Sequence, residues 1–191
     1  MKITKFTKLA ALLLTVALIF GVMVGVSAFA ADGADEGAAT IVSKNVDHGT
    51  ELALCFAVST EGAVEGDLYV LVWDWNYSGD YTYETAEEAG QVKTALGNVE
   101  GTDYKLFIAD SVAAKDLDEQ ITYRTCIVKE DGSYVYGAVA SYSVLDYTAQ
   151  RLTEIPNEDF DDAEKAIQTN ICNAIIRYHE AAEAVLQPSE N

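Results

Sequence analysis

Two short apolar runs limit the fold more than any other feature of this chain. ELALCFAVST (51–60) alternates Leu52, Leu54, Phe56 and Val58 with Ala53, Cys55 and Ala57. A period of two marks a strand with one face on a core, yet here the second face is small rather than polar. GDLYVLVWDW (66–75) is apolar at nearly every position through Trp73, which suits a central strand covered on both sides. A sheet built from these runs needs something over its outer face.

The rest of the chain keeps the rhythm. Further strands are expected at AATIVSK, YTYE, QVKTALGNV (91–99), DYKLFIAD (103–110), EQITYRTCIV (119–128) and, after the turn EDGS, YVYGAVASY. Short strands divided by Gly, Asp and Ser turns, with no strand–helix alternation, read as an antiparallel sandwich. SVAAKDLDE is a crossing with one helical turn. At Ser143 the pattern changes: SVLD fits a capping box with Asp146 at N3, flanked by Tyr142 and Tyr147 as a hydrophobic staple. This helix stops before Pro156. A second starts in NEDFDDAEKA and reaches about Leu186, with Ala163, Ile167, Ile171, Ala174, Tyr178, Ala181 and Val185 as one apolar stripe. One of the two helices is expected over Ala53, Cys55 and Ala57, whose small side chains permit a close approach. The fold class is therefore mainly β: an antiparallel immunoglobulin-like β-sandwich at 31–142, then a short helix and a long amphipathic helix at 143–187 packed on it.

Residues 1–30 read as a secretory signal peptide. Lys2, Lys5 and Lys8 precede an apolar run that ends in Ala28, Phe29 and Ala30, a cleavage site of the small-x-small kind. The competing reading is an uncleaved anchor, since Leu9 to Val26 carries no charge. Cleavage after Ala30 leaves one domain with a helical appendage outside the cell. The whole chain has 12 basic and 31 acidic residues, a net charge of −19, and losing the leader's lysines makes it more acidic still. Nucleic acid and anionic membrane surfaces, which demand clustered Lys and Arg, are excluded as partners.

Few chemistries have a motif here. His179-Glu180-Ala181-Ala182-Glu183 resembles a zinc-protease helix, but Glu183 stands where the second histidine belongs, and a catalytic zinc needs three ligands. No Ca2+ loop of the D-x-D-x-D-G kind, nucleophile elbow or phosphate-binding glycine loop occurs. Acids are too numerous for any pair to be singled out as a glycosidase dyad. No cofactor, metal or enzymatic activity is expected.

Cys55, Cys126 and Cys172 are an odd set for an exported chain. One alternative is a Cys55–Cys126 bridge with Trp73 and Trp75 between its ends, as in antibody domains. The other is three buried thiols. Strand parity puts Cys126 with Thr122 and Arg124, opposite Ile121, Tyr123 and Ile127, so both cysteines face away from the sandwich interior.

The sharpest functional feature is WDWNYSGDYTY (73–83), five rings around Gly79. Tyr69, Leu71, Trp73, Trp75 and Tyr77 share a face, with Trp73 expected in the core and Trp75 and Tyr77 at its rim. A three-residue turn would pair Tyr77 with Tyr81 and Trp75 with Tyr83; a two-residue turn would send Tyr81 and Tyr83 to the other side. The expected site is a partly exposed ridge of Trp75, Tyr77, Tyr81 and Tyr83, with Asp74 or Asp80 accepting hydroxyl hydrogen bonds.

The stretch VAAKDLDEQITYRTCIVKEDGSYVYGAVASYSVLDYTAQRL resembles uncharacterised secreted modules of anaerobic Gram-positive bacteria, in which an immunoglobulin- or fibronectin-III-like sandwich ends in a similar strand, turn, strand and helix. The resemblance spans roughly residues 50–186 and departs from the family pattern at Leu117 and Thr148. It implies a fold and an extracellular setting, often beside repeat or wall-binding domains, and lends no functional residue. The expected function is a secreted non-catalytic module with an adhesion, interaction or spacer role. The alternative is a carbohydrate-binding module using the aromatic run. The expected partner is an extracellular glycan or a surface protein, and oligomeric state is not legible.

Overall fold

The computed structural model describes residues 33–48 and 51–186; the leader at 1–30 and the last residue of the expected helical segment lie outside the described residues. Two antiparallel sheets face each other. The first runs in the order β1 (Thr40–His48), β2 (Leu52–Ser59), β6 (Lys105–Ser111) and β5 (Gly97–Asn98). The second runs β4 (Val92–Thr94), β3 (Asp67–Trp73), β7 (Ile121–Val128) and β8 (Tyr134–Tyr136), with β9 (Ala140–Tyr142) also on β7. Phe56 lies opposite Phe107 in the first sheet, and Val70 opposite Thr125 in the second.

Alternation explains the interior. Leu54, Phe56 and Val58 point one way from β2 and are fully buried, together with Val70 and Val72 from β3 and Tyr123 and Ile127 from β7. Phe56 and Tyr123 meet across it with ring centres 4.5 Å apart. Each such side chain adds about 1.5–3 kcal/mol by leaving water. β3 enters through Gly66, where a Cβ would stand 2.5 Å from the carbonyl oxygen of Val128; only glycine lets the two strands approach so closely.

The first C-terminal helix forms where the capping signal stands. Ser143 Oγ accepts from the Asp146 amide at 3.0 Å, and Asp146 Oδ2 accepts from the Ser143 amide at 3.1 Å. Three helices are described: α1 (Tyr83–Glu88), α2 (Val144–Glu154) and α3 (Asp162–Leu186). α2 passes into a 3-10 turn, Ile155–Asn157, at Pro156. Val144 and Tyr147 of α2 and Ile175 of α3 join the same cluster as Leu54 and Phe56.

Four expectations are corrected. The C-terminal helices extend the interior rather than covering Ala53, Cys55 and Ala57, because their buried residues cluster with the opposite face of β2. α3 docks through Cys172 and Ile175, about 100° round from the expected stripe; Ile167 and Val185 remain 58% and 84% exposed. Polar groups share its docking face, as where His179 Nδ1 donates to the Ala114 carbonyl at 2.9 Å, so apolarity alone misplaced it. YTYE is no strand: Tyr83 opens α1, and QVKTALGNV splits into β4 and β5 on different sheets.

The fourth correction is the Cys55–Cys126 bridge. Cys55 lies in β2 and Cys126 in β7, on different sheets and both turned outward. Facing sheets sit about 10 Å apart, beyond the reach of a disulfide between outward-pointing residues. All three cysteines are free and buried. Burial pushes the Cys55 and Cys126 thiols up to about 12.

Candidate functional site

The aromatic run divides at Asp74. β3 ends at Trp73, and the chain turns with the Tyr77 amide donating to the Asp74 carbonyl at 3.0 Å. Neither hairpin register forms. Instead Thr82 caps α1: its hydroxyl accepts from the Thr85 amide at 3.4 Å, and Thr85 Oγ1 accepts from the Thr82 amide at 3.2 Å. α1 is thereby held against the outer face of the second sheet.

Trp73 is buried, but not between the sheets. With Tyr69 and Leu71 it points outward, into a second cluster with Ala86 of α1 and Cys126 of β7. Parity decides this, since Val70 and Val72 take the inner face. Trp73 Nε1 donates to Thr85 Oγ1 at 3.3 Å. Tyr77 stacks on Trp73 at 6.1 Å, and Tyr81 meets Trp73 in a T-shaped contact at 5.0 Å. The Tyr77 hydroxyl donates to the Asp80 carbonyl at 2.9 Å, and Gly79 lies so close to the ring that a Cβ there would be 2.6 Å from that hydroxyl. Farther along, Tyr83 stacks on Tyr134 at 5.2 Å and Tyr134 on Tyr136 at 5.8 Å. Arg124 covers the Tyr136 ring at 4.4 Å and donates to the Tyr81 carbonyl at 3.0 Å.

The expected ridge of four rings therefore does not exist. Tyr77, Tyr81 and Tyr83 are half-buried against other protein rings, and Asp80 contributes its carbonyl. Cross-ring packing accounts for them without a ligand.

Trp75 goes the other way. It is 54% exposed, whereas Trp73 is 1% exposed. With Asp74 it borders a pocket of about 210 Å³ that also takes in Asn76, Gln91, Asp110 and Glu119. The pocket lies at the seam between the sheets, where Lys93 of β4 pairs with Asp110 of β6 at 2.6 Å. Gln91 is fixed at its backbone: its amide donates to the Ala86 carbonyl at 2.8 Å and its carbonyl accepts from Val72 at 3.1 Å. Its side-chain Oε1 is buried without a hydrogen-bond partner, and a buried acceptor left unmatched costs free energy.

Of the six residues expected at a site, only Trp75 and Asp74 meet at the pocket. Asn76, Gln91, Asp110 and Glu119 were missed, and no local signal marks the last three; they converge only once both sheets are paired. Among the described residues no group of three or more His, Cys, Asp or Glu is arranged to hold a metal. The arrangement can stack one flat ring on Trp75 and accept hydrogen bonds from groups around its edge. No protein-family model, curated protein or solved structure matches the chain.

Proposed function

We propose that this chain is a secreted, non-catalytic module with an immunoglobulin-like sandwich, exported by its 1–30 leader, and that the pocket beside Trp75 binds one sugar ring of an extracellular glycan. The observation that carries the reading is an exposed tryptophan beside a pocket lined by the polar side chains of Asp74, Asn76 and Glu119. Sugars offer an apolar ring face for Trp75 and hydroxyl donors for Asp74 and Glu119. The resemblance of residues 50–186 to secreted modules of anaerobic bacteria supports the setting and the sandwich type. Neither histidine and no cysteine lines the pocket, and Asp110 is already paired with Lys93, which favours binding over catalysis.

One stacked ring with a few hydrogen bonds corresponds to a Kd on the order of 1 mM. The test is titration of the chain lacking residues 1–30 with methyl glycosides and short oligosaccharides, followed by tryptophan fluorescence. A saturable change that disappears in Trp75→Ala and weakens in Asp74→Ala supports the proposal. A parent protein that responds to no sugar returns the function to an adhesion or spacer role without a small ligand.

A further inference from the structure

The end of β6 separates two hollows. On one side is the Trp75 pocket; on the other a groove of about 590 Å³ runs between this strand end and α3. Leu52 and Val112 form one wall of the groove, and Ile171, Ala174, Ile175 and Tyr178 the other. Because α3 docks through Cys172 and Ile175, Ala174 and Tyr178 of the expected apolar stripe are left exposed, and they complete that second wall with Ile171 and Ile175. Ser111, Val112 and Ala113 line both hollows. Ser111 and Ala113 are small and exposed, so the ridge between the two is low.

We propose that the two hollows form one site for a neutral glycolipid, with the sugar against Trp75 and the hydrocarbon chain in the groove; this rests on the sugar reading above. Continuity carries the first part of the argument. A chain leaving a sugar in the polar pocket meets apolar walls as soon as it crosses Ser111 and Ala113. Size carries the second, since the groove falls within the range of about 300–1,000 Å³ typical of ligand pockets. Charge carries the third. No Lys or Arg lines either hollow, whereas Glu51 borders the groove and Asp74 and Glu119 border the pocket, beside Asp110 and Asp116, which are paired with Lys93 and Lys115. A carboxylate or phosphate headgroup is repelled there and by the chain's net charge of −19. A neutral sugar head instead finds acceptors for its hydroxyls.

Calorimetric titration of the chain lacking residues 1–30 with methyl and octyl glucosides and galactosides, below the micellar threshold, tests this. Burial of each methylene tightens binding about fourfold, so a partly buried octyl chain is expected to bind roughly a hundredfold tighter than the methyl glycoside. Ala174→Trp, at an exposed position facing the groove, should reduce that ratio below about tenfold and leave methyl glycoside binding unchanged. An octyl-to-methyl ratio near one, or a ratio that survives Ala174→Trp, overturns the inference while sparing the sugar pocket. Octyl glycoside binding that persists in Trp75→Ala, or octanoate binding as tightly, shows a tail site without a sugar head and also overturns it. If Ala174→Trp converts a dimer to a monomer, the groove is a self-association face and the inference falls. Failure of both methyl and octyl glycosides removes the sugar reading itself.

Discussion

The cluster under α1 and the pocket beside Trp75 grow from one aromatic run and end in opposite conditions. In the cluster, rings lie on rings and hydroxyls meet carbonyls, so little is left for a ligand to satisfy. Beside the pocket, Trp75 stands exposed, and the side chains of Asp74, Asn76 and Glu119 border it. The difference shows that aromatic density says little about binding: what matters is whether the protein itself has already used the faces of the rings.

The largest effect that separates the two regions is expected from the tryptophans themselves. Trp73→Ala should cost about 3–5 kcal/mol by urea denaturation, because the rings and α1 cannot close the space left. Little or no loss would mean that the outer cluster is ornamental. Removing the cap comes next: Thr82→Ala should cost about 1 kcal/mol and loosen α1 over Trp73, seen as a rise in acrylamide quenching of Trp73 fluorescence in a Trp75→Phe background. Unchanged quenching there would show that tertiary packing, not the cap, holds α1 down.

Alkaline pH should produce a smaller effect, spread over a window. The folded-state pKa values of Cys55 and Cys126 are raised to about 12 by burial. Stability from keeping them neutral is fully present below the ordinary thiol range, about pH 8.5, and is lost as pH climbs towards 12. Melting temperature should fall across this window, and Cys126→Ala should flatten the fall by removing the outer cluster's thiol. The buried Tyr123 and half-buried Tyr142, also raised by desolvation, add a loss of the same sign. Reductant should change nothing below pH 8, since the thiols are unpaired. The smallest stability effect belongs to Trp75→Ala, within about 0.5 kcal/mol as for exposed positions generally. A loss comparable to that of Trp73→Ala would erase the distinction between the two regions.

Much of the sandwich could be read before folding. Leu54, Phe56 and Val58 show their facing by alternation, and Ser143 with Asp146 marks the start of α2 through chemistry contained in four residues. YTYE was misread because Tyr and Thr favour strands, while the competing signal was also local: Thr82 and Thr85 as a cap, Glu84 and Ala86 as helix formers, and Gly90 at φ +70° beyond the end. The pocket is another matter. Gln91 and Asp110 reach Trp75 only through pairing on two different sheets, and no spacing in the chain encodes that meeting. The docking face of α3 departs from its apolar stripe: Cys172 and Ile175 are buried and His179 donates to the Ala114 carbonyl, a partner that no helical period announces.

The strand orders of the two sheets also bear on how the chain acquires its structure. The backbone switches sheets between β2 and β3, again between β4 and β5, and again between β6 and β7, so neither sheet can be completed from one contiguous stretch. Phe56 must wait for Phe107, and Val70 for Thr125. Closing such long loops before their contacts repay the entropy makes the search slow. Until β6 and β7 have been synthesised, β2 and β3 each present an unpaired apolar edge, the condition in which strands join other chains. The chain therefore has a late point of commitment, and the acidic residues spread along it, by repelling like copies, guard the interval before that point is reached.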